Sequence, residues 1–391
     1  MLEPTQAGGA EPGASDAAAS VPPTKPKRSR RPRSVRLLSV LQPFDSIVIL
    51  THDNPDPDAI ASGWGLLEII RQRLRKPVRL VGGGAIVRAE NRFLVQVLKP
   101  PIELVNQLPL QGRTAIVLVD CSAQARNFVS CQDEQATLVA VIDHHQQLAR
   151  GVKLPFQDIR PAVAASATII SGYLREQQMV PSRELATALL YALRSETRGY
   201  QTHFSRADRA ALNWLTPHAD PSTLAKIEDA PLPRSYYSDL TLALQNTFLY
   251  GPVAFCLLPH ATGAEIVGEV ADLLIRCEGV SRVLCGAQVG PNIAISVRTD
   301  AAGGDAAILV RKTLEGLGRG GGHRNRAGGI IPGREQQEYL LPPPDGPVDG
   351  TRQTPMSLRN ILLKRWLHVC GADHYEPERL VPRHEIICNL K

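Results

Sequence analysis

Three clusters of histidine and aspartate carry the chemistry that this sequence suggests. The first is the segment Thr51–Asp58, the second is Asp120, and the third is Asp143 with His144 and His145. Carboxylates and imidazoles without thiolates suit hard or borderline divalent cations, such as Mn²⁺, Mg²⁺ or Fe²⁺, or a catalytic Zn²⁺. A single cation would not need so many donors, whereas two cations about 4 Å apart share a carboxylate and clamp a phosphoryl oxygen. The residue types therefore indicate metal-assisted hydrolysis of a phosphoester.

Each cluster has a simpler explanation when it is taken alone. An isolated histidine or aspartate at the end of a strand is usually a cap, and aspartates flanked by proline, such as Asp56, are common in turns. All three clusters, however, directly follow apolar runs that have the character of buried strands. The runs are SIVIL at 46–50, TAIVLV at 114–119 and TLVAVI at 137–142. Their joint occurrence at strand ends favours one site over three unrelated turns.

The elements that position these clusters alternate between strand and helix. Helical spacing is found at residues 60–75, 167–178 and 183–196, and a further strand is predicted at 78–83. Apolar strands alternating with helices favour an α/β fold, in which a parallel sheet is covered by helices on both faces. Because ligands gather outside the carboxyl ends of the strands in such a sheet, we expect the three clusters to converge.

A second, smaller α/β block follows a proline-containing stretch. Its predicted strands lie at 253–259, 281–290 and 292–300, its predicted helices lie at 263–279 and 306–318, and a glycine-rich segment closes it at 318–329. We therefore divide the chain into five parts. These are a disordered basic arm (1–36), a catalytic domain (37–215), a linker (216–240), a substrate-binding domain with a GGGH loop (241–333) and a C-terminal extension (334–391).

Charge and composition narrow the class of partner. The net charge is +6, but residues 1–36 hold seven Lys or Arg against three acidic residues, so the remaining chain carries only +2. Aromatic residues make up 5% of the chain, and few lie near the motifs, which argues against a long single-stranded nucleic-acid track. No apolar run reaches the roughly 18 residues of a membrane span, and no signal-peptide pattern is present. The seven cysteines are scattered along the chain, which indicates free thiols and not a disulfide framework. These features predict a cytoplasmic protein without a membrane partner.

The motifs resemble those of the DHH phosphoesterase superfamily. Its first three motifs correspond to His52-x-x-Pro55-Asp56-x-Asp58-Ala59, to Asp120 and to Asp143-His144-His145. The segment Gly320–Gly329 resembles the signature of the DHH-associated C-terminal domain, and the whole resemblance covers residues 44–333. It points to the branch of oligoribonucleases and phosphoadenosine-phosphate phosphatases.

The resemblance implies a ligand set for two divalent cations, with Mn²⁺ favoured over Mg²⁺ or Co²⁺. One cation would be bound by His52, Asp56 and Asp120, and the other by Asp58, Asp120, His144 and Glu196. Asp120 would bridge the two cations. Asp143 would orient its neighbours, and His145 would face the scissile phosphate as a donor to it or to the leaving oxygen.

One position departs from the family pattern. The fourth motif normally has an Asp before Thr, whereas this chain has Glu196 before Thr197. The extra methylene moves the carboxylate outward by about 1 Å, which would loosen the second cation site, change its metal preference or weaken the enzyme. A non-catalytic nucleotide sensor derived from this fold is therefore the alternative from another class of protein.

The C-terminal motifs are expected to hold the substrate. Gly321 and Gly322 let backbone N–H groups approach an anion, and His323 and Arg298 add charge-assisted hydrogen bonds. The resemblance implies hydrolysis of a short 5′-phosphorylated oligonucleotide or 3′-phosphoadenosine 5′-phosphate by a hydroxide that the two cations activate. Pyrophosphate, polyphosphate, a cyclic dinucleotide and a longer single strand stay open as substrates. The oligomeric state also stays open, with a homodimer as one arrangement.

Overall fold

The computed structural model describes residues 31–86, 88–108, 110, 112–122, 128–129, 136–145, 153–197, 204–261, 263–322, 324–333 and 357–381. Most of the predicted basic arm (residues 1–30) and His323 of the glycine-rich motif lie outside the described residues. No helix within these stretches is both long enough and apolar enough to cross a membrane.

The first sheet contains six parallel strands. They are β1 (Ser46–Leu50), β2 (Val78–Gly82), β3 (Ile102–Leu104), β4 (Thr114–Val119), β5 (Ala136–Asp143) and β6 (Phe156–Ile159). Their order is β3-β2-β1-β4-β5-β6, and each neighbouring pair is parallel. The strand order reverses between β1 and β4. The strands β2 and β3 are added on one side of β1, and β4, β5 and β6 are added on the other side. The predicted α/β fold with a parallel sheet is confirmed.

Helices cover one face of this sheet. They are α1 (Arg33–Leu41), α2 (Pro57–Leu74), α3 (Ala89–Leu98), α4 (Ser166–Glu176), α5 (Arg183–Thr197), α6 (Arg206–Leu215) and α7 (Pro221–Glu228), and they share one apolar core with the strands. α2 packs against both α4 and α5. Its close approach to α4 needs glycine, because a Cβ added at Gly65 would lie 2.6 Å from Cγ2 of Ile170. This packing holds the N-terminus of α2, which carries two predicted ligands, against the sheet.

The opposite face of the sheet packs against connecting segments. Val48 and Leu50 share a small apolar core there with Leu108. The segments between β4 and β5 and between β5 and β6 include residues 123–127, 130–135 and 146–152, which lie outside the described residues. Helices are therefore confirmed on the first face, and helices on the second face stay a prediction.

A second, mixed sheet follows in the C-terminal half. Its strands are β7 (Thr247–Tyr250), β8 (Val253–Leu258), β9 (Arg282–Val289), β10 (Asn292–Thr299), β11 (Arg319–Gly322), β12 (Arg326–Ile331) and β13 (Glu378–Arg379). The order is β11-β12-β10-β9-β8-β7-β13, and only the β8–β9 pair is parallel among these described strands. α8 (Arg234–Gln245) and α9 (Glu265–Leu274) cover one face, and α10 (Ala306–Thr313) and α11 (Leu358–Cys370) cover the other.

The glycine run that the sequence predicts to be a loop is instead one strand of a hairpin. β11 contains Gly320, Gly321 and Gly322 and pairs antiparallel with β12. The physical reason is the pairing with β12, which satisfies backbone N–H and C=O groups that a loop would leave to water or a ligand. Position 320 needs glycine because α10 lies close to this strand, and a Cβ there would be 3.0 Å from Cγ1 and Cγ2 of Val310.

The structure differs from the predicted division of the chain at three places. α1 begins inside the predicted arm, where Nη1 of Arg33 lies 2.8 Å from Oδ1 of the buried Asp158. The predicted linker contains two helices, of which α7 packs on α3 and α5 while α8 packs on α9 and β8. The predicted extension contributes Trp366, which is fully buried in the second domain and donates from Nε1 to the carbonyl of Ala254 at 3.2 Å. Apolar burial thus extends both domains beyond the predicted limits.

Candidate metal centre and substrate cavity

The three sequence clusters meet at the carboxyl ends of β1, β4 and β5. β1 and β4 are neighbours on either side of the point where the strand order reverses, which is where open α/β sheets bind ligands. Asp120 follows β4 directly and has a left-handed backbone with a φ of 56°. Non-glycine residues seldom adopt this conformation, and it concentrates at functional sites. The N–H of Asp120 donates to the carbonyl of Ile142 at 2.9 Å, which ties this turn to β5.

His52, Asp56 and Asp120 form one group of potential metal ligands. Nε2 of His52 lies 3.9 Å from Oδ1 of Asp56 and 3.8 Å from Oδ2 of Asp120. Nδ1 of His52 lies 2.9 Å from the backbone oxygen of Asp53, so that nitrogen carries a proton, and Nε2 faces the two carboxylates. Asp56 is also the N-cap of α2, since its Oδ1 accepts two backbone N–H groups of that helix.

Asp120, His144 and His145 form a second group. Nε2 of His144 lies 3.5 Å from Oδ1 of Asp120. Asp143 is fully buried, and its Oδ1 accepts both the backbone N–H of His145 at 3.1 Å and Nδ1 of the same residue at 2.7 Å. Asp143 thus fixes the ring of His145. Asp120 belongs to both groups, and the ligand roles of these residues stay predictions.

The N-terminus of α4 holds two carboxylates of the site, which the sequence analysis did not anticipate. Oγ of Ser166 donates to Oδ1 of Asp120 at 2.9 Å. The backbone N–H groups of Ser166 and Ala167 donate to Oδ2 and Oδ1 of Asp58 at 2.7 and 2.8 Å. Asp58 lies outside the two ligand groups, although its Oδ2 is 3.8 Å from Nε2 of His144. A serine before a helix is a general helix-start signal, so the sequence did not reveal this role.

Replacing Ser166 with alanine is expected to weaken Mn²⁺ binding about 10-fold, because partners that orient metal ligands typically contribute 10- to 100-fold in affinity. The measurement is titration calorimetry with Mn²⁺. Ser171→Ala is the matched control, since Ser171 is buried in the same helix but donates to the backbone oxygen of Ala167. Equal Mn²⁺ affinity of the two variants would contradict the positioning role of Ser166.

Burial and mutual repulsion raise the pKa of several carboxyls. Burial, together with the charge of Asp120, raises the pKa of Asp58 to about 8. Burial, together with the charge of Asp56, raises the pKa of Asp120 to about 7. Burial also raises the pKa of Glu196 to about 8, with the charges of Asp56 and Asp58 adding to the effect. The gathered carboxylate oxygens and imidazole nitrogens are donors that fit divalent cations.

The pKa values of the three histidines shift in different directions among these carboxylates. Although burial opposes the change, the nearby carboxylates of Asp56 and Asp120 raise the pKa of His52 to about 10. The hydrogen bond to Asp143 likewise raises the pKa of His145 to about 9 against the effect of burial. Burial lowers the pKa of His144, which keeps it in the neutral form that a metal ligand requires. His145 keeps its proton, as a hydrogen-bond donor to a phosphate oxygen requires.

The charges of both the aspartate cluster and the second domain act on Glu196. It lies near the C-terminal end of α5, is half-buried, and is outside the two ligand groups found among the described residues. The charge of Arg326 in β12 favours the ionised form of Glu196, against the effects of burial and of the neighbouring aspartates. A cationic side chain of the second domain therefore lies near the fourth-motif carboxyl.

A cavity of about 460 Å³ lies on the second domain, beside this arginine. Two of the predicted substrate residues, Arg298 and Gly322, line it, and Gly321 has open space where a Cβ would be. Arg298 is 8% exposed, and its Nε lies 2.5 Å from Oδ1 of Asp272. His323, the fourth predicted residue, lies outside the described residues.

Residues 46–193 match the model described as DHH family, N-terminal domain. The chain carries a DHH-family domain. The match contains the clusters at His52, Asp120 and Asp143 and ends three positions before Glu196. The DHH domain thus corresponds to the first sheet and to the helices α2 to α5.

Curated relatives of the chain extend the similarity beyond the DHH domain. The uncharacterized protein MJ1633 of Methanocaldococcus jannaschii is 31% identical over 287 residues, covering 73% of this chain and 58% of that protein. The cyclic-di-AMP phosphodiesterase PdeA of Listeria monocytogenes is 24% identical over 329 residues, covering 77% and 47%. A probable manganese-dependent inorganic pyrophosphatase of Clostridium acetobutylicum is 30% identical over 182 residues, covering 45% and 56%. The chain spans about half the length of these relatives.

The two-domain fold is shared with a solved structure. The crystal structure of an exopolyphosphatase-related protein from Bacteroides fragilis has a TM-score of 0.63 and 16% sequence identity, covering 87% of this chain and 95% of that one. This likeness extends over both sheets and shows a common fold.

Proposed function

We propose that this protein is a metal-dependent phosphoesterase that hydrolyses short 5′-phosphorylated oligonucleotides or 3′-phosphoadenosine 5′-phosphate. The observation that carries the proposal is the shared carboxylate of Asp120, which belongs to a group with His52 and Asp56 and to another with His144 and His145. The ligand atoms within each group lie within 4.8 Å of one another. Two divalent cations are part of the proposal, with Mn²⁺ first and Mg²⁺ or Co²⁺ as alternatives. The manganese-dependent relative supports that order.

The cations, when bound, would polarise the phosphoryl oxygens and lower the pKa of water. The side chains of the protein orient and stabilise the reacting groups. Asp143 holds the ring of His145 through Nδ1, so His145 donates a hydrogen bond to the phosphate or the leaving oxygen. Ser166 keeps the carboxylate of Asp120 in place through its hydroxyl. The cavity on the second domain holds the rest of the substrate.

The choice of substrate rests on the second domain. A small cavity and a nearly neutral folded region favour a mononucleotide or a very short oligonucleotide over a long polymer. A cyclic dinucleotide is the second candidate, because the similarity to a cyclic-di-AMP phosphodiesterase covers 77% of this chain and thus reaches into both domains.

The test is release of phosphate or nucleotide by the purified full chain in the presence of Mn²⁺. The compounds are 3′-phosphoadenosine 5′-phosphate, a 5′-phosphorylated dinucleotide, cyclic di-AMP and pyrophosphate. We expect kcat/KM for one of the first two to exceed that for the others by about 10-fold or more. Faster turnover of cyclic di-AMP would favour the second candidate. Nucleotide binding without turnover, both in the wild type and in Glu196→Asp, would favour the sensor.

A further inference from the structure

The N-terminus of α4 is not capped by a side chain at its own N-cap position. That position is Ala165, which offers no acceptor to the first N–H groups of the helix. Two of these groups, from Ser166 and Ala167, donate instead to the carboxylate of Asp58. The hydroxyl of Ser166 donates to Asp120. The placement of this helix end therefore fixes two carboxylates of the candidate metal centre.

A buried carboxylate in another helix holds this helix end in turn. Asp208 lies in the first turn of α6 and is fully buried. Its Oδ1 accepts the backbone N–H of Ala164 at 3.1 Å and the hydroxyl of Thr168 at 2.6 Å. These two residues lie on either side of Ser166 in the chain. Asp208 thus bonds to both flanks of the residue that contacts Asp120.

The two oxygens of the Asp208 carboxylate serve different helices. Oδ2 accepts the backbone N–H of Ser205 at 2.7 Å, and the hydroxyl of Ser205 accepts the N–H of Asp208 at 3.2 Å, which forms a capping box for α6. This capping box needs only one carboxylate oxygen, so the bonds from Oδ1 to α4 are not part of it. Asp208 therefore links α6 with the N-terminus of α4 in addition to capping its own helix.

The bonds of Oδ1 give the first turn of α4 a defined position. Residues 164–168 are all buried, and α4 packs against α2, α5 and α6. Apolar packing has no preferred direction, whereas hydrogen bonds do, so the bonds to Asp208 determine where this turn lies within the packed core. Because ligand groups must be held within about 0.5 Å of their working geometry, a small shift of Ser166 would already disturb the carboxylate of Asp120.

We infer that Asp208 is a positioning residue of the metal centre. It acts through Ala164 and Thr168 on the N-terminus of α4, and this helix end orients the carboxylates of Asp58 and Asp120. The inference rests on the proposed function, because it requires divalent cations at this centre. It adds a residue that lies outside the sequence motifs and beyond residues 46–193, which match the DHH domain.

The test removes the bonds to α4 and measures the Mn²⁺ affinity of the full chain by titration calorimetry. Thr168→Val keeps the shape of the side chain but removes the hydroxyl that donates to Oδ1. Asp208→Asn replaces one acceptor oxygen with an N–H donor, so at least one of the bonds to Ala164 and Ser205 is lost. We expect Mn²⁺ binding to weaken about 3-fold in Thr168→Val and about 10-fold in Asp208→Asn.

Thr187→Val is the matched control. Thr187 is buried, and its hydroxyl donates within α5 to the carbonyl of Arg183 at 2.7 Å. Both threonine variants should lower the melting temperature in EDTA, measured by differential scanning calorimetry, but only Thr168→Val should lose Mn²⁺ affinity. A merely structural role of Asp208 would lower the melting temperature and leave Mn²⁺ affinity unchanged.

A double-mutant cycle tests the route through the helix end. If Asp208 acts by placing Ser166, then Asp208→Asn should weaken Mn²⁺ binding by a smaller factor in the Ser166→Ala background than in the wild type. An equal factor in the two backgrounds would overturn this route.

Failure of this inference differs from failure of the proposed function. Mn²⁺ affinities of Asp208→Asn and Thr168→Val equal to that of the wild type would overturn the positioning role and leave the phosphoesterase in place. Reduced affinities in both variants, without turnover of any compound of the panel by the wild type, would retain the positioning role and reject the phosphoesterase.

Discussion

Asp120→Asn is expected to reduce kcat by at least about 1,000-fold, equivalent to about 4 kcal/mol of transition-state stabilisation. The amide keeps the size of the carboxylate and can still accept the hydrogen bond from Ser166. It removes the negative charge that both ligand groups share, so affinity for both cations falls. The measurement is hydrolysis of the best substrate of the panel, together with Mn²⁺ titration by calorimetry.

The same substitution should stabilise the metal-free protein. Asp120 is buried among other carboxylates, and its charge raises the pKa of Asp58, so neutralising it relieves repulsion. We expect the melting temperature in EDTA at pH 8 to rise in Asp120→Asn. Asp158→Asn is the contrasting control, because Asp158 is also buried but forms ion pairs with Arg33 and Arg160. This substitution should lower the melting temperature and leave the affinity for Mn²⁺ unchanged. A loss of stability in both variants would contradict the assignment of Asp120 to a metal centre.

Mn²⁺ is expected to raise the melting temperature of the wild type by about 5 °C at 100 times its dissociation constant, because a ligand that binds only the folded state adds about 2.7 kcal/mol. At one fixed Mn²⁺ concentration, the increase should be larger at pH 8.5 than at pH 6.5, because protons compete less with Mn²⁺ at the higher pH. Asp58, Asp120 and Glu196 have pKa values of about 8, 7 and 8 in the folded protein, above those of unfolded carboxyls. Because the folded state holds these protons more tightly, the metal-free protein loses stability as the pH rises through this window.

The histidines do not reverse this expectation. His52 and His145 have raised pKa values of about 10 and 9, so their contribution to stability also decreases as the pH rises. His144 has a lowered pKa and acts in the opposite direction near pH 6.5, where it is still partly protonated in the unfolded state, but it is one group against five. Differential scanning calorimetry in EDTA and in Mn²⁺, at both pH values, measures the effect. A Mn²⁺ shift that is absent, or that is larger at pH 6.5, would contradict the metal centre.

Much of the DHH domain could be predicted from local sequence. Continuous apolar runs predict the strands β1, β4 and β5 to within one residue at either end, because these strands are buried on both sides. The 3.6-residue spacing predicts the helix α5 to within one residue. The short edge strands β3 and β6 give no such signal, since three or four residues are too few to show a period.

The sequence by itself determined that histidine and aspartate follow three parallel strands, and the geometry of such a sheet then brings His52, Asp120 and His144 together. Only the tertiary structure decided which groups surround them. The contact of Ser166 with Asp120 spans 46 residues, and that of Arg326 with Asp272 spans 54. Pairings over such separations depend on how helices and strands pack, and no local pattern encodes them. The bonds from Arg298 to Asp272, 26 residues earlier in the chain, are of the same kind, and the role of Arg298 in substrate binding stays a prediction.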